Sequence, residues 1–294
     1  MLSVLIPCYN YDARPLLKKL SHLRSLQTID IEIILWDDCS TNKEIESNNK
    51  KTAKKLSVSY YKNEQNFGRA TTRQNLARKA EYNKLLFMDV DVMPVNDDFF
   101  ERFEIRDNQH QLIFGGIHYI QQKPAQNKML RWKYGNKKEA KTLEERLKNP
   151  YLSIVSGCFL IEKNTFIKSN TYLGNSYGVD VVFCRNLEHL STKVKHINNP
   201  VFHSGLETSE SFLKKSRKGL EALVQFEKQK LIPKNYKKIQ KTYLKLNKSG
   251  LLNAYIFVIG IFKTIILKNL KGSQPSIFAF DLYRLYYFSK LQNS

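Results

Sequence analysis

Two pairs of carboxylates in the first third of the chain have a spacing that suits metal-bound ligands. Asp89 and Asp91 are separated by one residue and directly follow an apolar run. Asp37 and Asp38 are adjacent and also follow an apolar run. Carboxylates in a tight turn can share a hard divalent cation such as Mg²⁺ or Mn²⁺, which then also binds substrate phosphates. A solvated strand end gives the same pattern, so neither pair alone identifies a site.

The elements that precede these carboxylates alternate between strand and helix patterns. Apolar runs predict strands at 3–7, 31–36, 58–61 and 85–88, and helical spacing predicts helices at 16–26, 43–56 and 69–80. Short apolar strands that alternate with helices are typical of a mostly parallel sheet with helices on both faces. Such sheets bind ligands beyond the carboxyl ends of their strands, where Tyr9 and both acidic pairs fall. The sequence therefore predicts an α/β fold with a ligand site at that edge.

The cysteines and the first residues of the chain indicate the cellular compartment of the protein. The 294 residues include four cysteines, which are widely spaced and form no CxxC pair. This spacing indicates neither a disulfide framework nor a zinc site and is typical of a reducing compartment. An apolar strand already begins at Ser3, so we expect no secretory leader and predict a cytoplasmic protein.

Positive charge is concentrated in the last third of the chain. The net charge of +21 divides into +2 for residues 1–100, +7 for 101–205 and +12 for 206–294. A nucleic-acid-binding protein would place basic and aromatic side chains at its ligand site. Here residues 1–100 are nearly neutral overall and place acidic side chains where a ligand would bind. We therefore expect no nucleic-acid partner. The pattern favours a domain at 1–205 and a basic helical region at 206–294 that meets an anionic surface.

The most hydrophobic stretch lies at 251–270 and is interrupted by Lys263 and Lys268. A membrane-spanning helix needs about 20 mostly apolar residues, so the lysines favour a helix that lies at the membrane surface instead. A core helix, or a helix in a homodimer interface, fits the same sequence, and the oligomeric state stays open. The first interpretation predicts peripheral attachment to the inner face of the cell membrane through anionic lipids.

The motifs, taken in order, resemble those of the family 2 glycosyltransferases with the GT-A fold. The segments that carry the resemblance are Ile6–Asn10, Leu35–Thr41, Asn66–Ala70 with Arg73 and Asn75, Phe87–Asp91, Ser156–Phe159, Tyr177–Asp180 and Pro200–His203. They cover roughly residues 1–205 and imply a Rossmann-like nucleotide-diphospho-sugar transferase with a C-terminal helical extension. Two positions depart from the family pattern, since Cys39 stands where glycine is usual and Val179 stands where glutamate is usual.

The resemblance implies a reaction and a set of residue roles. The implied enzyme is an inverting hexosyl- or N-acetylhexosaminyltransferase of bacterial surface-polysaccharide synthesis, which uses Mn²⁺ or Mg²⁺ and most often a UDP-sugar. Its acceptor would be a saccharide or a lipid-linked molecule. The residues implied in binding the donor nucleotide are Pro7, Tyr9, Asp37, Asn66, Arg69, Arg73 and Asp89. Asp91 and His203 are implied as metal ligands, and Asp180 as the general base.

Two alternatives stay open at this point. The sequence is as consistent with an ion pair between Arg73 and a carboxylate as with a contact between Arg73 and the nucleotide. Because the glutamate before Asp180 is missing, a non-catalytic subunit that binds sugar nucleotides or polysaccharide on the same fold is the second candidate.

Overall fold

The computed structural model describes residues 1–103, 105 and 107–293, which form two compact units. The first unit comprises Met1–Ile120, Glu139–Asn175 and Phe183–Gly205. The second comprises Gln121–Lys138, Ser176–Val182 and the chain from Leu206 onward. Residues 121–138 and 176–182 thus belong to the second unit, although the sequence alone grouped them with the domain at 1–205.

A seven-stranded sheet forms the centre of the first unit. The strands of the chain are β1 (Leu2–Cys8), β2 (Ile31–Asp37), β3 (Ser59–Lys62), β4 (Lys84–Met88), β5 (Val92–Pro94), β6 (Leu112–Phe114), β7 (Ile117–Tyr119), β8 (Cys158–Glu162), β9 (Val194–His196) and β10 (Val201–His203). The order in the large sheet is β3-β2-β1-β4-β8-β6-β9. All neighbours pair in parallel except β8, which is antiparallel to both β4 and β6. The predicted α/β fold with a mostly parallel sheet is confirmed.

A small second sheet has the order β5-β10-β7, with β10 antiparallel to β5 and parallel to β7. Each of its strands has only three residues. No sequence pattern predicted this sheet, because three residues are too few to show an alternation of apolar and polar positions.

Helices cover the large sheet and build the second unit. They are α1 (Arg14–Ser25), α2 (Lys43–Lys55), α3 (Arg69–Lys79), α4 (Phe99–Arg102), α5 (Met129–Tyr134), α6 (Leu143–Leu147), α7 (Lys163–Ser169), α8 (Asp180–His189), α9 (Ser209–Lys228), α10 (Lys238–Lys248), α11 (Leu252–Lys271) and α12 (Ile277–Gln292). The first three agree with the predicted helices to within about two residues. Asn42 caps α2 by accepting from the backbone N–H groups of Glu44 and Ile45.

The core of the first unit anchors the strand that leads to the acidic pair. Phe87 of β4 is fully buried and packs against Phe166 and Phe159, with ring centroids 4.3 and 5.3 Å apart. Phe183 of α8 extends this aromatic cluster. Aromatic side chains bury more apolar area than any other type, so this cluster fixes the carboxyl end of β4 firmly in place.

The second unit is helical and has a separate core. Its buried residues come from α5, α9, α11 and α12, and they are Leu130, Phe212, Leu213, Leu270, Ile277, Phe280 and Tyr283. The ring of Tyr134 packs at the edge of this core against Phe212 and Phe280. A separate core indicates that the C-terminal helices are a folded unit and not a flexible tail.

Candidate functional site

The carboxyl ends of β1, β2 and β4 form one edge of the large sheet. Cys8 pairs with Asp37, and the backbone N–H of Asp38 donates to the Cys8 carbonyl at 2.8 Å. Strand β4 pairs in parallel with β1, so its carboxyl end lies at the same edge. Asp89 directly follows the last residue of β4. The structure therefore brings Tyr9 and both acidic pairs to one edge, as the order of strands and helices predicted.

The small sheet brings Asp91 and His203 together. His203 pairs with Val92 across the antiparallel strands β10 and β5, so it lies beside the residue that precedes Val92. The distance from His203 Nε2 to Asp91 Oδ2 is 3.5 Å. Ser204 secures the arrangement, since both its backbone N–H and its hydroxyl donate to the Asp91 carbonyl. The two residues implied as metal ligands thus lie side by side.

Gly205 makes room for the Asp91 carboxylate. A Cβ atom at this position would lie 2.2 Å from Asp91 Oδ2, which is much closer than any van der Waals contact. A larger residue would therefore displace the carboxylate. Sequence reasoning missed Gly205, and only its place two residues after His203 could have drawn attention to it.

The side chains of Asp91 and His203 fit a divalent cation of the Mg²⁺ or Mn²⁺ type. A carboxylate oxygen and an imidazole nitrogen are ligands that such ions accept. Nδ1 of His203 is buried and has no hydrogen-bond partner within the described part of the chain, while Nε2 faces Asp91. The residues described include no group of three His, Cys, Asp or Glu side chains that could hold a metal. Two protein ligands would leave most coordination positions to phosphate oxygens and water, which is the usual arrangement for Mg²⁺.

Asp89 is held by two arginines from α3. Arg73 Nη2 donates to Asp89 Oδ1 at 2.6 Å and to the Ser156 carbonyl at 2.8 Å, and Arg69 Nη1 lies 3.9 Å from Asp89 Oδ2. Burial alone would raise the pKa of the Asp89 carboxyl, but the guanidinium charges of Arg69 and Arg73 outweigh it and lower the pKa. Asp89 is therefore a carboxylate anion at neutral pH.

The two arginines differ in exposure. The side chain of Arg73 is 6% exposed and pairs with Asp89, which is the ion-pair interpretation that the sequence left open. The side chain of Arg69 is 49% exposed and reaches the open edge of the sheet. Arg69 is thus the more accessible cation for an anionic ligand, while a contact between Arg73 and a nucleotide stays a prediction.

Asp37 is fully buried, and both of its carboxylate oxygens already accept hydrogen bonds. The donors are the backbone N–H of Ser40 at 2.6 Å and the hydroxyl of Tyr60 at 3.2 Å. Burial and the adjacent Asp37 charge raise the pKa of Tyr60, so this hydroxyl keeps its proton. A direct contact between Asp37 and a nucleobase stays a prediction.

Asp38 organises the loop before α3, a role that sequence reasoning did not assign. One carboxylate oxygen accepts from Asn63 Nδ2 and the Phe67 N–H, and the other accepts from the Gly68 N–H at 2.9 Å. Gly68 has a φ of +85°, and a Cβ there would lie 2.4 Å from the Asn175 side chain. Asp38 and Gly68 together fix the chain immediately before Arg69.

The remaining candidate residues occupy different places. Pro7 lies in β1, and Tyr9 and Asn66 are exposed near the carboxyl ends of the strands. Cys39 has a φ of +63°, a left-handed conformation that glycine adopts freely, so the usual glycine would fit the same backbone. Asp180 is the first residue of α8 and belongs to the second unit. Its role as a base therefore stays a prediction.

The sequence matches the model of one protein family. Residues 3–168, more than half of the chain, match the family described as glycosyl transferase family 2. No curated protein matches the chain in a sequence search.

Solved structures share the fold at low sequence identity. Glucosyl-3-phosphoglycerate synthase from Mycobacterium tuberculosis, crystallised with Mn²⁺, UDP and glucosyl-3-phosphoglycerate, gives a TM-score of 0.52 at 15% identity over 76% of this chain and 79% of that chain. Mannosyl-3-phosphoglycerate synthase from Rubrobacter xylanophilus gives 0.55 at 12% identity over 78% and 74%. A mannosyltransferase from Pyrobaculum calidifontis, in complex with GDP-Man and Mn²⁺, gives 0.60 at 13% identity over 99% and 86%. The last match extends over the C-terminal helices.

Proposed function

The chain belongs to glycosyl transferase family 2, and on that premise we propose that it is a metal-dependent, inverting glycosyltransferase. It would move a sugar from a nucleotide diphosphate donor, a UDP-sugar in the first instance, to a hydroxyl group of a saccharide or lipid-linked acceptor. The observation that carries this proposal is the pairing of Asp91 with His203 at the carboxyl edge of the large sheet. Related structures with Mn²⁺ and either UDP or GDP-Man support the donor class.

The donor diphosphate would lie between the acidic pair formed by Asp89 and Asp91 and the start of α3. Arg69 is the first residue of α3, and the positive end of the helix dipole at that point favours an anion. Its exposed guanidinium group adds a full positive charge at that point. Arg73 neutralises Asp89, so this carboxylate repels the phosphates less than a free one would. The pocket would thus have cationic groups on one side and Asp91 with His203 on the other.

Asp91 and His203 would hold a Mn²⁺ or Mg²⁺ ion against the diphosphate oxygens. A divalent cation in that place supplies Lewis-acid neutralisation of the charge that develops on the departing nucleotide. The Asp91 carboxylate must be correctly turned for this purpose. Gly205 leaves the space that the carboxylate occupies, and Ser204 holds the backbone of Asp91 through two hydrogen bonds to its carbonyl.

Asp180 would act as the general base. Its carboxylate would take the proton of the acceptor hydroxyl while that oxygen forms a bond to the anomeric carbon, and the bond from this carbon to the donor phosphate oxygen breaks. A single displacement from the opposite face inverts the anomeric configuration. We place the reaction in the cytoplasm, in the synthesis of a bacterial surface polysaccharide. The high net charge of the last third, +12, suits an acidic or lipid-linked acceptor.

Calorimetric titration with nucleotides tests the proposal. UDP, GDP and dTDP are each added to the full chain with and without Mn²⁺, and the same series is run on Asp91→Ala. We expect one nucleotide to bind in a Mn²⁺-dependent way and Asp91→Ala to weaken that binding by about 30- to 100-fold, the loss expected for a charged ligand group. Asp97→Ala is the matched control, because Asp97 is exposed and pairs only with the surface residue Lys19 in the structure described.

Two results would contradict the proposal. Binding of every nucleotide with equal affinity in the presence and absence of Mn²⁺ would remove the metal from the mechanism. Metal-dependent binding that is unchanged in Asp91→Ala would remove Asp91 from the site.

A further inference from the structure

Helix α11 exposes a large apolar surface. Five of its large side chains are between 46% and 70% exposed, and they are Phe257, Val258, Ile261, Phe262 and Ile265. All five lie within nine consecutive residues, and Ala254 one turn earlier is exposed as well. Monomeric soluble proteins rarely expose contiguous apolar patches of this kind, and such patches usually mark a contact surface.

The interpretation of α11 as a helix buried in the protein core does not hold for most of its length. Leu252, Ile259 and Leu270 are its buried residues, and they lie on one side of the helix. Only 11% of the most apolar 18-residue stretch of α11 is buried. By length and composition alone, the helix is long and apolar enough to cross a membrane. One face of α11 therefore packs against other helices of the second unit, and the opposite face has no protein partner among the residues described.

The charge around α11 selects the kind of partner. Between residues 228 and 271 the chain has no acidic residue, and its eleven lysines are at 228, 230, 234, 237, 238, 241, 245, 248, 263, 268 and 271. A second copy of this chain would bring the same charge to the contact, so the two surfaces would repel each other. An anionic lipid surface is complementary to this charge and also accepts apolar side chains.

The position of the lysines indicates how the helix would lie. Lys263 is in the middle of α11 and is exposed, which disfavours a course through the hydrocarbon core. The helix is also fastened along its length, since Tyr255 donates to the Leu282 carbonyl and Lys271 pairs with Glu210. A helix held to the protein on one side and apolar on the other is suited to lie in the plane of the bilayer surface.

We propose that the face of α11 formed by Phe257, Val258, Ile261, Phe262 and Ile265 inserts into the surface of a bilayer rich in anionic lipids, while the neighbouring lysines contact the headgroups. This inference does not rest on the proposed transferase activity, because it uses only residues of the second unit.

Vesicle co-sedimentation of the full chain tests the inference. Vesicles of phosphatidylcholine are compared with vesicles that also contain about 30% phosphatidylglycerol, because only the latter carry the charge that the lysines would recognise. We expect wild type to bind the anionic vesicles and to be released in part by about 0.5 M salt, which screens the lysines. Ile261→Asp/Ile265→Asp should bind them at least about tenfold more weakly.

A matched double variant controls for the added charge. Leu147 and Leu190 are exposed aliphatic side chains like Ile261 and Ile265, but they lie in the first unit. Leu147→Asp/Leu190→Asp should therefore bind vesicles within about twofold of wild type. Circular dichroism and the nucleotide titration confirm that each variant is folded. Normal nucleotide binding with lost vesicle binding separates this inference from the proposed function.

Three results would overturn the inference. The first is a wild-type chain that binds neither kind of vesicle. The second is equal vesicle binding by wild type and Ile261→Asp/Ile265→Asp. The third is a dimer in light scattering that this variant converts to a monomer, because the apolar face would then be occupied by a second copy.

Discussion

Tyr119 and His203 lie directly opposite each other on the parallel strands β7 and β10. Their rings are stacked, with centroids 5.4 Å apart and planes inclined by 25°. The Tyr119 hydroxyl donates to the Glu139 carboxylate, which fixes the tyrosine ring in turn. Tyr119 is therefore placed to set the plane of the imidazole that would bind the metal, as residues next to metal ligands commonly do.

Replacement of Tyr119 should weaken metal-dependent binding without removing a ligand. In Tyr119→Leu the imidazole loses its stacking partner, and we expect Mn²⁺-dependent nucleotide binding to fall about tenfold, in the range found for residues that orient a metal ligand. Tyr119→Phe keeps the ring and should bind almost normally, with a stability loss of about 1 kcal/mol from the lost hydrogen bond. Titration with Mn²⁺ and nucleotide measures both variants. Equal binding by both would show that Tyr119 does not position His203.

The pair formed by Arg73 and Asp89 should make stability depend on pH. Since the folded-state pKa of Asp89 is lowered, the carboxylate stabilises the fold fully above its unfolded pKa of about 4 and loses this contribution as the pH falls through the folded value. Arg73→Met leaves a nearly buried carboxylate without its closest cation, so we expect a loss of about 3 kcal/mol at pH 7.

Urea unfolding at several pH values measures this effect. The difference between wild type and Arg73→Met should shrink as the pH falls toward 4, because the unpaired carboxyl of the variant takes up a proton more readily. Lys62→Met is the control, since its pair with Glu46 lies at the surface, where such pairs contribute little to stability. A difference of the same size at both ends of the pH range would argue against a charged pair.

Asp38 should matter for stability and, through the loop, for the donor. Asp38→Ala leaves the backbone N–H groups of Phe67 and Gly68 without their acceptor, and we expect a loss of about 2 to 4 kcal/mol in the free energy of unfolding. Asp38→Asn keeps one acceptor oxygen and should lose less. Nucleotide binding by Asp38→Asn, the more stable of the two variants, should also weaken, because Arg69 directly follows this loop. Asp12→Ala, which removes an exposed pair with Arg14, provides the control. An Asp38→Ala chain as stable as that control would contradict the assignment.

Sequence patterns predicted the large sheet well because its strands have strong local signals. The strands β1, β2 and β4 are mostly apolar runs that end in polar residues or are followed by them, and this pattern is visible without any tertiary contact. The strands β5, β7 and β10 have three residues each and exist only through their mutual pairing. Consequently the sequence alone could not bring His203 to Asp91, and only the resemblance to a family did so.

Roles that depend on backbone contacts were also beyond the sequence. Asp37 and Asp38 look alike in the chain, yet one is bonded to Ser40 and Tyr60 and the other to the loop at 66–68. The hydrophobic stretch at 251–270 was recognised as a helix, but its composition does not reveal which face is left exposed. That outcome depends on the packing of α11 against the other helices of the second unit.

Asp180 provides a test of the base assignment. Asp180→Asn removes the proton acceptor and keeps the size of the side chain, so donor binding should stay within about twofold while turnover falls by about 10²- to 10⁴-fold. Release of nucleotide from the preferred sugar nucleotide, with and without acceptor saccharides, measures turnover. Asp281→Asn, which removes a partly exposed pair with Lys138 in the same unit, should have nearly normal turnover. Near-normal turnover by Asp180→Asn would require a different base.

Gly205→Ala tests whether the space around Asp91 is needed for metal binding. The added methyl group cannot stay 2.2 Å from Asp91 Oδ2, so the carboxylate must turn away from His203 or the backbone must shift. We expect Mn²⁺-dependent nucleotide binding to weaken by at least about tenfold, since a metal ligand that is turned by even a small angle loses much of its affinity. The free energy of unfolding should fall by only about 1 to 3 kcal/mol, the usual cost of one overpacked methyl group.

Gly260→Ala is the matched control for this variant, because a Cβ at position 260 would meet its nearest atoms at 3.8 Å, an ordinary contact distance. Its nucleotide binding should equal that of wild type. Parallel titrations of both variants with UDP and Mn²⁺, together with thermal unfolding, separate a local effect on Asp91 from a general loss of structure. A Gly205→Ala chain that binds Mn²⁺ and nucleotide like wild type would mean that the Asp91 carboxylate can bind the metal from another orientation, and the pairing with His203 would then not be required.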